Sequence, residues 1–264
     1  MSIDLRMTYI GGPTLLLELG GLRLLSDPTF DPAGAEFRSG AYLLRKTHGP
    51  GLPSAALGRV DAVLLSHDHH FDNLDASGRT FLASAGTVLT TGAGAERLGG
   101  NARGLVPWQT LELPAPDGRT LRVTATPAQH GPAHAERGPV VGFVLEHPDT
   151  PGRAIYLSGD TVWFDGVAEV SRRFAVRTAV LFMGAARVAA VGPWHLTFTA
   201  TEGVEAARAL AEAAIVPVHF EDWEHFSESR PEIDRAFTAA GLSHRLRWLP
   251  RGVQAAGDTA RAGT

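Results

Sequence analysis

The chain has 264 residues, a formal net charge of −4 and no cysteine. Its length is enough to bury a sizeable core in one large domain or two small ones, and the lack of cysteine excludes disulfides, thiolate metal ligands and a cysteine nucleophile. There is no block of lysine and arginine that would indicate a nucleic-acid partner, no apolar run near the ~20 residues of a membrane span and no signal-peptide pattern.

These exclusions set the first expectations. We expect a cytoplasmic protein that acts on a small molecule, without nucleic acid and without stable insertion into a membrane. A homo-oligomer is left open.

The first half of the chain alternates strand-like and turn-like segments. Residues 15–19 and 22–25, separated by Gly20-Gly21, predict a hairpin, and residues 31–57 predict a long loop or a short helical insert near the site. A helix is expected after Phe71, and a turn at residues 115–118. Further strands are predicted at residues 62–65, 87–90, 110–113 and 121–126.

The second half brings longer helices. Strands are predicted at residues 140–146 and 154–157, which form a hairpin pair, and at 178–182 and 215–218. A helix is predicted at residues 201–213, capped by Thr199 or Thr201, and another at 231–240, closed by Gly241. Two strand-rich halves, each followed by helices, suggest a pseudo-duplicated αββα layering.

The most informative segment directly follows the apolar strand at residues 62–65. Residues 67–75 contain three histidines and three aspartates. Imidazole and carboxylate groups suit zinc, iron or manganese, and the end of a strand is a rigid place to hold them. An isolated histidine in such a loop is usually structural, but the density of this cluster favours a metal site.

Three further candidates stand at the ends of other predicted strands. His130 follows the strand at 121–126, Asp160 the strand at 154–157, and His219 the strand at 215–218. Each of them alone is more often structural than functional. Because four strands each deliver a histidine or an aspartate at their carboxyl ends, we expect these residues to form one metal site.

The order of these motifs resembles the metallo-β-lactamase superfamily. The motifs are the His-rich loop, then Pro-Ala-Gln-His at 127–130, Ser-Gly-Asp-Thr at 158–161 and Pro-Val-His at 217–219. Within the superfamily the chain resembles the branch that contains L-ascorbate-6-phosphate lactonase and N-acyl-phosphatidylethanolamine-hydrolysing phospholipase D, also through residues 8–14, 24–28 and 194–197. The resemblance implies an α+β fold, a four-layer αββα sandwich with metals between the sheets. It covers residues 1–252 as a single hydrolase domain and leaves 253–264 as a flexible tail.

Two departures from the branch concern the site. Gly12-Pro13 stands where the branch usually carries a histidine after the first glycine of its opening motif. The family signature is His-x-His-x-Asp-His, and the matching segment of this chain contains one residue more than the signature. A one-residue bulge, with His67 and His70 as ligands, satisfies both the strand end and the helix start; Asp68 or His69 in either place is the alternative.

The resemblance implies two adjacent metal sites. The first would use His67, His70 and His130, and the second Asp72 and His219, with Asp160 bridging the two ions. Asn73 replaces a histidine of the second site, and an amide is a poorer donor than an imidazole. We therefore expect one or two divalent ions, zinc or manganese.

The implied activity is hydrolysis by metal-bound hydroxide, with Asp72 accepting a proton from water. His195 either assists the leaving group or an oxyanion, or is a surface histidine packed on an aromatic residue. Aromatic residues at 219–226 together with Arg38, Arg45 and Lys46 fit a lactone or a phosphoester. The alternative is a metal-binding member of the superfamily with a degraded second site and no hydrolytic activity.

Overall fold

The computed structural model describes residues 5–40, 42–116 and 118–257. Asp117, in the predicted turn at 115–118, and residues 258–264 of the predicted tail lie outside the described residues. The strands, in chain order, are β1 (Arg6–Gly11), β2 (Thr14–Leu19), β3 (Leu22–Ser26), β4 (Glu36–Ser39), β5 (Tyr42–Arg45), β6 (Ala62–Leu64), β7 (Thr87–Thr91), β8 (Ala102–Leu105), β9 (Thr110–Pro114), β10 (Thr120–Pro127), β11 (Val141–Glu146), β12 (Ala154–Leu157), β13 (Val176–Phe182), β14 (Ala214–Val218) and β15 (Gln254–Ala256). The α-helices are α1 (Ala76–Phe81), α2 (Gly92–Leu98), α3 (Asp165–Arg173), α4 (Ala200–Ala209) and α5 (Arg230–Ala239).

One sheet contains the N-terminal half of the chain. Its seven strands lie in the order β15-β1-β2-β3-β6-β7-β8, with the predicted hairpin of β2 and β3 confirmed and β3, β6, β7 and β8 mutually parallel. The edge strand β15 pairs antiparallel with β1, with Ala255 opposite Met7. The folded domain therefore extends past the predicted boundary at residue 252.

The other large sheet has the order β14-β13-β12-β11-β10-β9. The predicted hairpin pair of β11 and β12 is antiparallel, as expected, and β12, β13 and β14 run parallel. Because β11 is antiparallel to both β10 and β12, the strands β10, β12 and β14 point the same way. Their carboxyl ends thus meet at one edge of the sheet.

Three apolar layers hold the sheets and helices together. Leu17 and Leu64 of the first sheet pack in one cluster with Val123 and Val180 of the second. A second cluster joins the outer face of the second sheet to side chains of α3, α4 and α5, and a third covers the outer face of the first sheet. The predicted four-layer αββα sandwich is confirmed. Strands buried on both faces explain why their sequences are continuous apolar runs rather than alternating ones.

The segment at residues 31–57 differs from the predicted loop or helical insert. It contains the two-stranded hairpin of β4 and β5 and one 3-10 turn, Ser54–Ala56. Phe37 of this hairpin stacks on Phe71, with 4.9 Å between ring centroids, and also contacts Trp223. Tertiary aromatic contacts, which local sequence does not reveal, hold this hairpin over the His-rich loop.

Helix boundaries follow their capping residues. Thr199 forms a capping box with Glu202, which confirms it as the cap of α4, although the helix ends at Ala209 rather than at 213. The glycine-rich helix α2 was not predicted, because two glycines in seven residues weaken the helical signal; Thr91 caps it by accepting a hydrogen bond from Gly94 N. Among the described helices, none is long and apolar enough to cross a membrane.

Candidate metal centre

The four predicted strand ends meet at one edge of the two large sheets. His67 follows β6, His130 follows β10, Asp160 follows β12 and His219 follows β14, and all four side chains are buried. A backbone hydrogen bond of 3.1 Å from Val141 N to Ser66 O joins the two sheets at this edge. The fold thus brings together residues that are far apart in the sequence.

Three imidazoles converge on one point. His70 Nδ1 lies 2.9 Å from His67 Nε2 and 3.1 Å from His130 Nε2. His130 Nδ1 donates a hydrogen bond of 2.8 Å to Leu196 O. His67 Nδ1 lies 2.9 Å from Ser66 Oγ, whose own proton goes to a carboxylate of Asp27, so this ring also donates through Nδ1. Both Nε2 atoms therefore present lone pairs, the tautomer that binds a metal.

Two carboxylates and a fourth imidazole form the adjacent half of the cluster. His219 Nε2 lies 3.4 Å from Asp160 Oδ1 and 3.5 Å from Asp72 Oδ2. The other oxygen of Asp160, Oδ2, lies 3.6 Å from His130 Nε2. The carboxylate of Asp160 thus faces both halves, as the family resemblance implies for a bridging ligand, and this role stays a prediction.

The unsatisfied atoms of the cluster match a cation. Within the described part of the chain, Asp160 Oδ2 and both ring nitrogens of His219 are buried without a hydrogen-bond partner. His67, His130 and Asp160 form one group whose ligand atoms lie within 4.8 Å of one another, and Asp72, Asp160 and His219 form a second. Buried polar groups without partners are costly, and a divalent ion in each group would satisfy them. The donor set therefore fits two metal ions.

The protonation states of the cluster also suit a metal. Burial lowers the pKa of His70 to about 3, which leaves a neutral imidazole. Burial raises the pKa of Asp72 and of Asp160, but the neighbouring histidines lower both more strongly, so these carboxylates stay ionised. Burial lowers the pKa of His219, but Asp160 and Asp72 outweigh it and raise the pKa to about 10. A bound cation would take the place of that proton.

The backbone at the last strand end is held in an unusual conformation. His219 has φ of 56°, in the left-handed region, and its N–H donates a hydrogen bond of 2.7 Å to Gly12 O. Such conformations cluster at functional sites because the surrounding structure must enforce them. Gly12, one of the two residues that replace the expected histidine of the opening motif, thus positions His219 through its carbonyl group.

The His-rich loop accommodates its extra residue because Asp68 and His69 have partners outside the imidazole triad. The carboxylate of Asp68 forms an ion pair with Arg97. His69 Nε2 lies 2.8 Å from Arg137 O, although His69 also belongs to a group of three with His67 and His70. Of the two adjacent histidines, His70 contacts His130. The geometry therefore favours the bulge with His67 and His70 as the ligand pair, and these ligand roles remain predictions.

This geometry predicts different effects of two neighbouring substitutions. His70→Ala should remove the ion of the first site, because it deletes the ring nitrogen that lies next to the Nε2 atoms of both His67 and His130. His69→Ala should leave most of the metal bound, because its Nε2 already bonds a backbone carbonyl. Inductively coupled plasma mass spectrometry of both purified variants measures this difference. Metal loss in His69→Ala with retention in His70→Ala would establish the upstream register instead.

A buried network behind the cluster was not predicted as part of the site. Asp27 accepts hydrogen bonds from Ser66 N at 2.6 Å, from Ser66 Oγ at 2.7 Å and from Asn73 Nδ2 at 3.2 Å. Burial raises the pKa of Asp27 to about 7, against the effect of the Ser66 hydrogen bonds. The signal for it is the Ser-Asp-Pro motif at residues 26–28, which follows a buried strand as the ligands do. Asp27 fixes the start of the His-rich loop.

A cleft opens over the cluster. His70, Asp72, His130 and His225 form its floor. The other lining residues, mostly apolar, are Tyr42, Leu44, Arg137, Ala186, Val188, Val191 and Leu196. Three of the candidate ligands, His70, Asp72 and His130, therefore border this cleft.

Not every predicted residue faces this cleft. His195 Nε2 lies 3.1 Å from Glu202 and is not among the lining residues, although its neighbour Leu196 is. Arg45 pairs with Glu36 and Glu224 at the surface. The role of His195 stays a prediction.

Lys46 is the one lysine of the chain and does not line the cleft either. Its side chain is buried, 2.9 Å from Asp75 Oδ2 and 5.5 Å from the ring centroid of Trp223. Asp75 also caps α1 by accepting a hydrogen bond from Gly78 N. The pair thus anchors the segment after the β4–β5 hairpin to the helix after the His-rich loop, so the structure gives Lys46 a structural contact in place of the expected contribution to substrate binding.

Residues 22–220 match the family model described as the beta-lactamase superfamily domain. The chain belongs to the metallo-β-lactamase superfamily. Within the superfamily it is 30% identical over 226 residues to a UPF0173 metal-dependent hydrolase of Opitutus terrae, which covers 82% of this chain and 85% of the relative. It is 27% identical over 226 residues to a UPF0173 metal-dependent hydrolase of Exiguobacterium sp., covering 82% of this chain and 86% of the relative.

Solved structures share the metallo-β-lactamase fold over nearly the whole chain. An isothiocyanate hydrolase from Delia radicum gut bacteria has a TM-score of 0.79 and 24% identity, covering 95% of this chain and 98% of that one. A possible metal-dependent hydrolase from Veillonella parvula has a TM-score of 0.80 and 20% identity, with the same coverage. At these identities the likeness concerns the fold.

Proposed function

We propose that the chain is a metal-dependent hydrolase whose substrate is a small lactone or phosphoester bound in the cleft above His70 and Asp72. The observation that carries the proposal is the convergence of six candidate ligands, three of which, His70, Asp72 and His130, line a cleft; the other three are His67, Asp160 and His219. The naming of relatives as metal-dependent hydrolases and the resemblance of the motifs to the lactonase and phospholipase D branch support it.

The chemistry divides between the metal and the chain. A divalent ion held by these residues supplies a Lewis acid and lowers the pKa of water. Asp72 lines the cleft as an ionised carboxylate, so it can accept a hydrogen bond from the attacking water and orient it. Asp160, with no exposed surface, keeps the two halves of the cluster together.

The walls of the cleft indicate the substrate class. Leu44, Val188 and Val191 offer an apolar surface for the non-reacting part of a ligand. Arg137 is the cation of the lining, and among the described residues its guanidinium makes no ion pair. An unpaired guanidinium suits the oxygens of a phosphoester or the oxyanion that develops from a lactone carbonyl.

A second candidate is a neutral electrophile such as an isothiocyanate. The apolar wall of the cleft would bind it without help from Arg137, and a similar fold carries that activity in the gut-bacterial enzyme. The phosphoester and the isothiocyanate therefore differ in their dependence on Arg137.

The test compares two arginine variants on three substrates. Arg137→Met should raise KM for an anionic phosphodiester by about 10- to 100-fold, the ~1.5–3 kcal/mol of a charged hydrogen bond, with smaller effects on a neutral lactone or an isothiocyanate. Arg38→Met is the control, because Arg38 is exposed and does not line the cleft.

Each outcome discriminates between the hypotheses. Equal loss on all three substrates in Arg137→Met would contradict a role in anion binding. Turnover of the isothiocyanate alone would favour the second candidate. If the metal-loaded wild type turns over none of the three, the hydrolase proposal fails for these substrate classes and the non-catalytic metal-binding member becomes the better description.

A further inference from the structure

Asn73 stands where the superfamily signature carries a histidine, but its side chain is turned toward two carboxylates. Its Nδ2 donates to Asp27 Oδ2 at 3.2 Å and to Asp160 Oδ1 at 3.3 Å. An amide nitrogen with two protons directed at acceptors cannot bind a metal ion through that atom. Asn73 therefore holds Asp160 through Nδ2, its Oδ1 is buried without a hydrogen-bond partner among the described residues, and the second group of donors lacks its usual imidazole.

A histidine from another loop occupies the other side of that group. His225 lies seven residues beyond the end of β14, and its Nε2 is 3.0 Å from Asp72 Oδ2. The same oxygen lies 3.5 Å from His219 Nε2. Two imidazole nitrogens from one segment of the chain thus approach one carboxylate oxygen of the second group.

The surroundings of His225 fix its ring at this position. Its side chain is 10% exposed, it lines the cleft together with His70 and Asp72, and it packs against Phe226 with 4.7 Å between ring centroids. Its Nδ1 is buried and has no hydrogen-bond partner among the described residues. Arg187 N donates a hydrogen bond of 2.8 Å to the carbonyl oxygen of His225, and this bond fixes the backbone of His225. The ring therefore has a fixed place beside the carboxylates and one nitrogen directed at them.

We propose that His225 is a ligand of the second metal ion and replaces the histidine lost at Asn73. The second site would then consist of Asp72, His219 and His225, with Asp160 shared between the two ions, while Asn73 is a positioning residue that acts through Asp160. This inference rests on the proposed metal-dependent function. It removes the reason to regard the second site as degraded, because the imidazole count is conserved although its origin in the chain has changed.

The test counts metal ions instead of measuring activity. Wild type, His225→Ala, Asn73→Ala and the control His244→Ala are purified without chelators, dialysed against the same cobalt(II) solution and analysed by plasma mass spectrometry and visible absorption. His244 is exposed on the 3-10 turn Ser243–Arg245 and does not line the cleft. Two ions per chain are expected in wild type and in His244→Ala, and one in His225→Ala, with a change in the cobalt absorption. Asn73→Ala should retain two ions, the second bound about 10- to 100-fold more weakly, as is usual when a group that orients a ligand is removed.

Each possible result shows whether His225 or Asn73 binds the second ion. Two ions in His225→Ala with an unchanged spectrum, or one ion in wild type, would overturn the inference and leave the hydrolase proposal standing. Loss of the second ion in Asn73→Ala but not in His225→Ala would make Asn73 the ligand. The absence of metal from wild type would overturn the proposed function itself. If His225→Ala does not fold, His225→Phe gives the same readout, because it keeps an aromatic ring at this position and removes both nitrogens.

Discussion

Replacing Asp160 by asparagine is expected to abolish nearly all turnover, a loss of at least about 10²–10³-fold, the range seen when one charge-stabilising group leaves an active site. Asp160 is the residue that approaches both halves of the cluster, His130 on one side and His219 on the other. An amide of the same size is neutral and is a poor bridge between two cations. Steady-state kinetics with metal in excess, on whichever phosphodiester or lactone the wild type turns over, measure the loss.

The matched comparison is His195→Ala. His195 pairs with Glu202 outside the lining of the cleft, so its removal should leave measurable activity. General acid–base assistance is typically worth about 10²–10⁴-fold, and a loss of that size would instead place His195 in the reaction. Wild-type turnover by Asp160→Asn would contradict a mechanism that depends on the shared carboxylate.

Removing the metal is expected to destabilise the whole domain. Without the metal, Asp72 and Asp160 are two buried carboxylates balanced by one proton on His219, so the group keeps a net negative charge that destabilises the folded state. A ligand present at 1,000 times its Kd stabilises the native state by ~4 kcal/mol. At about 2–4 °C per kcal/mol for a domain of this size, dialysis against a chelator should lower Tm by roughly 10 °C.

Re-addition of zinc or manganese should restore the original Tm in differential scanning calorimetry. His130→Ala, with one ligand removed from the first site, is the control and should show a smaller response to chelator. Identical melting curves for metal-free and metal-loaded wild type would rule out a structural contribution from the ions.

The positions of the candidate ligands could be predicted because strand ends carry a simple signal. Asp160 and His219 follow apolar runs that fold as buried strands, and His130 follows a largely buried strand of mixed apolar and polar residues. Parallel strands bring such residues to a common edge, so a linear pattern becomes a three-dimensional one. The residues that hold those ligands, such as Leu196 through its carbonyl, give no comparable signal, because any residue type can supply a backbone oxygen.

The register of the His-rich loop could not be settled from the sequence. His69 and His70 are chemically identical, and what separates them is the direction in which each ring points. The ion pair of Asp68 with Arg97 and the contact of His69 with the carbonyl oxygen of Arg137 determine that direction. Both partners lie at least 29 residues away along the chain, so the deciding contacts are tertiary.

His225 was missed for a similar reason. In the sequence it belongs to an aromatic segment at residues 219–226 that was expected to contribute to substrate binding, and it matches no position of the family signature. The approach of its Nε2 to Asp72 depends on the turn that includes Asp222, whose φ is 81°. The same limitation applies to the β4–β5 hairpin, whose aromatic contacts with the His-rich loop come from the fold.

The most direct measurement is hydrolysis by wild-type protein before metal depletion, after it, and after stoichiometric reloading with zinc or manganese. We predict that turnover of the lactone or phosphodiester disappears when the metal is removed. It should return in proportion to the number of ions rebound at the two groups of candidate ligands. Undiminished turnover in protein shown by plasma mass spectrometry to be metal-free would contradict a metal-dependent hydrolase at this cluster.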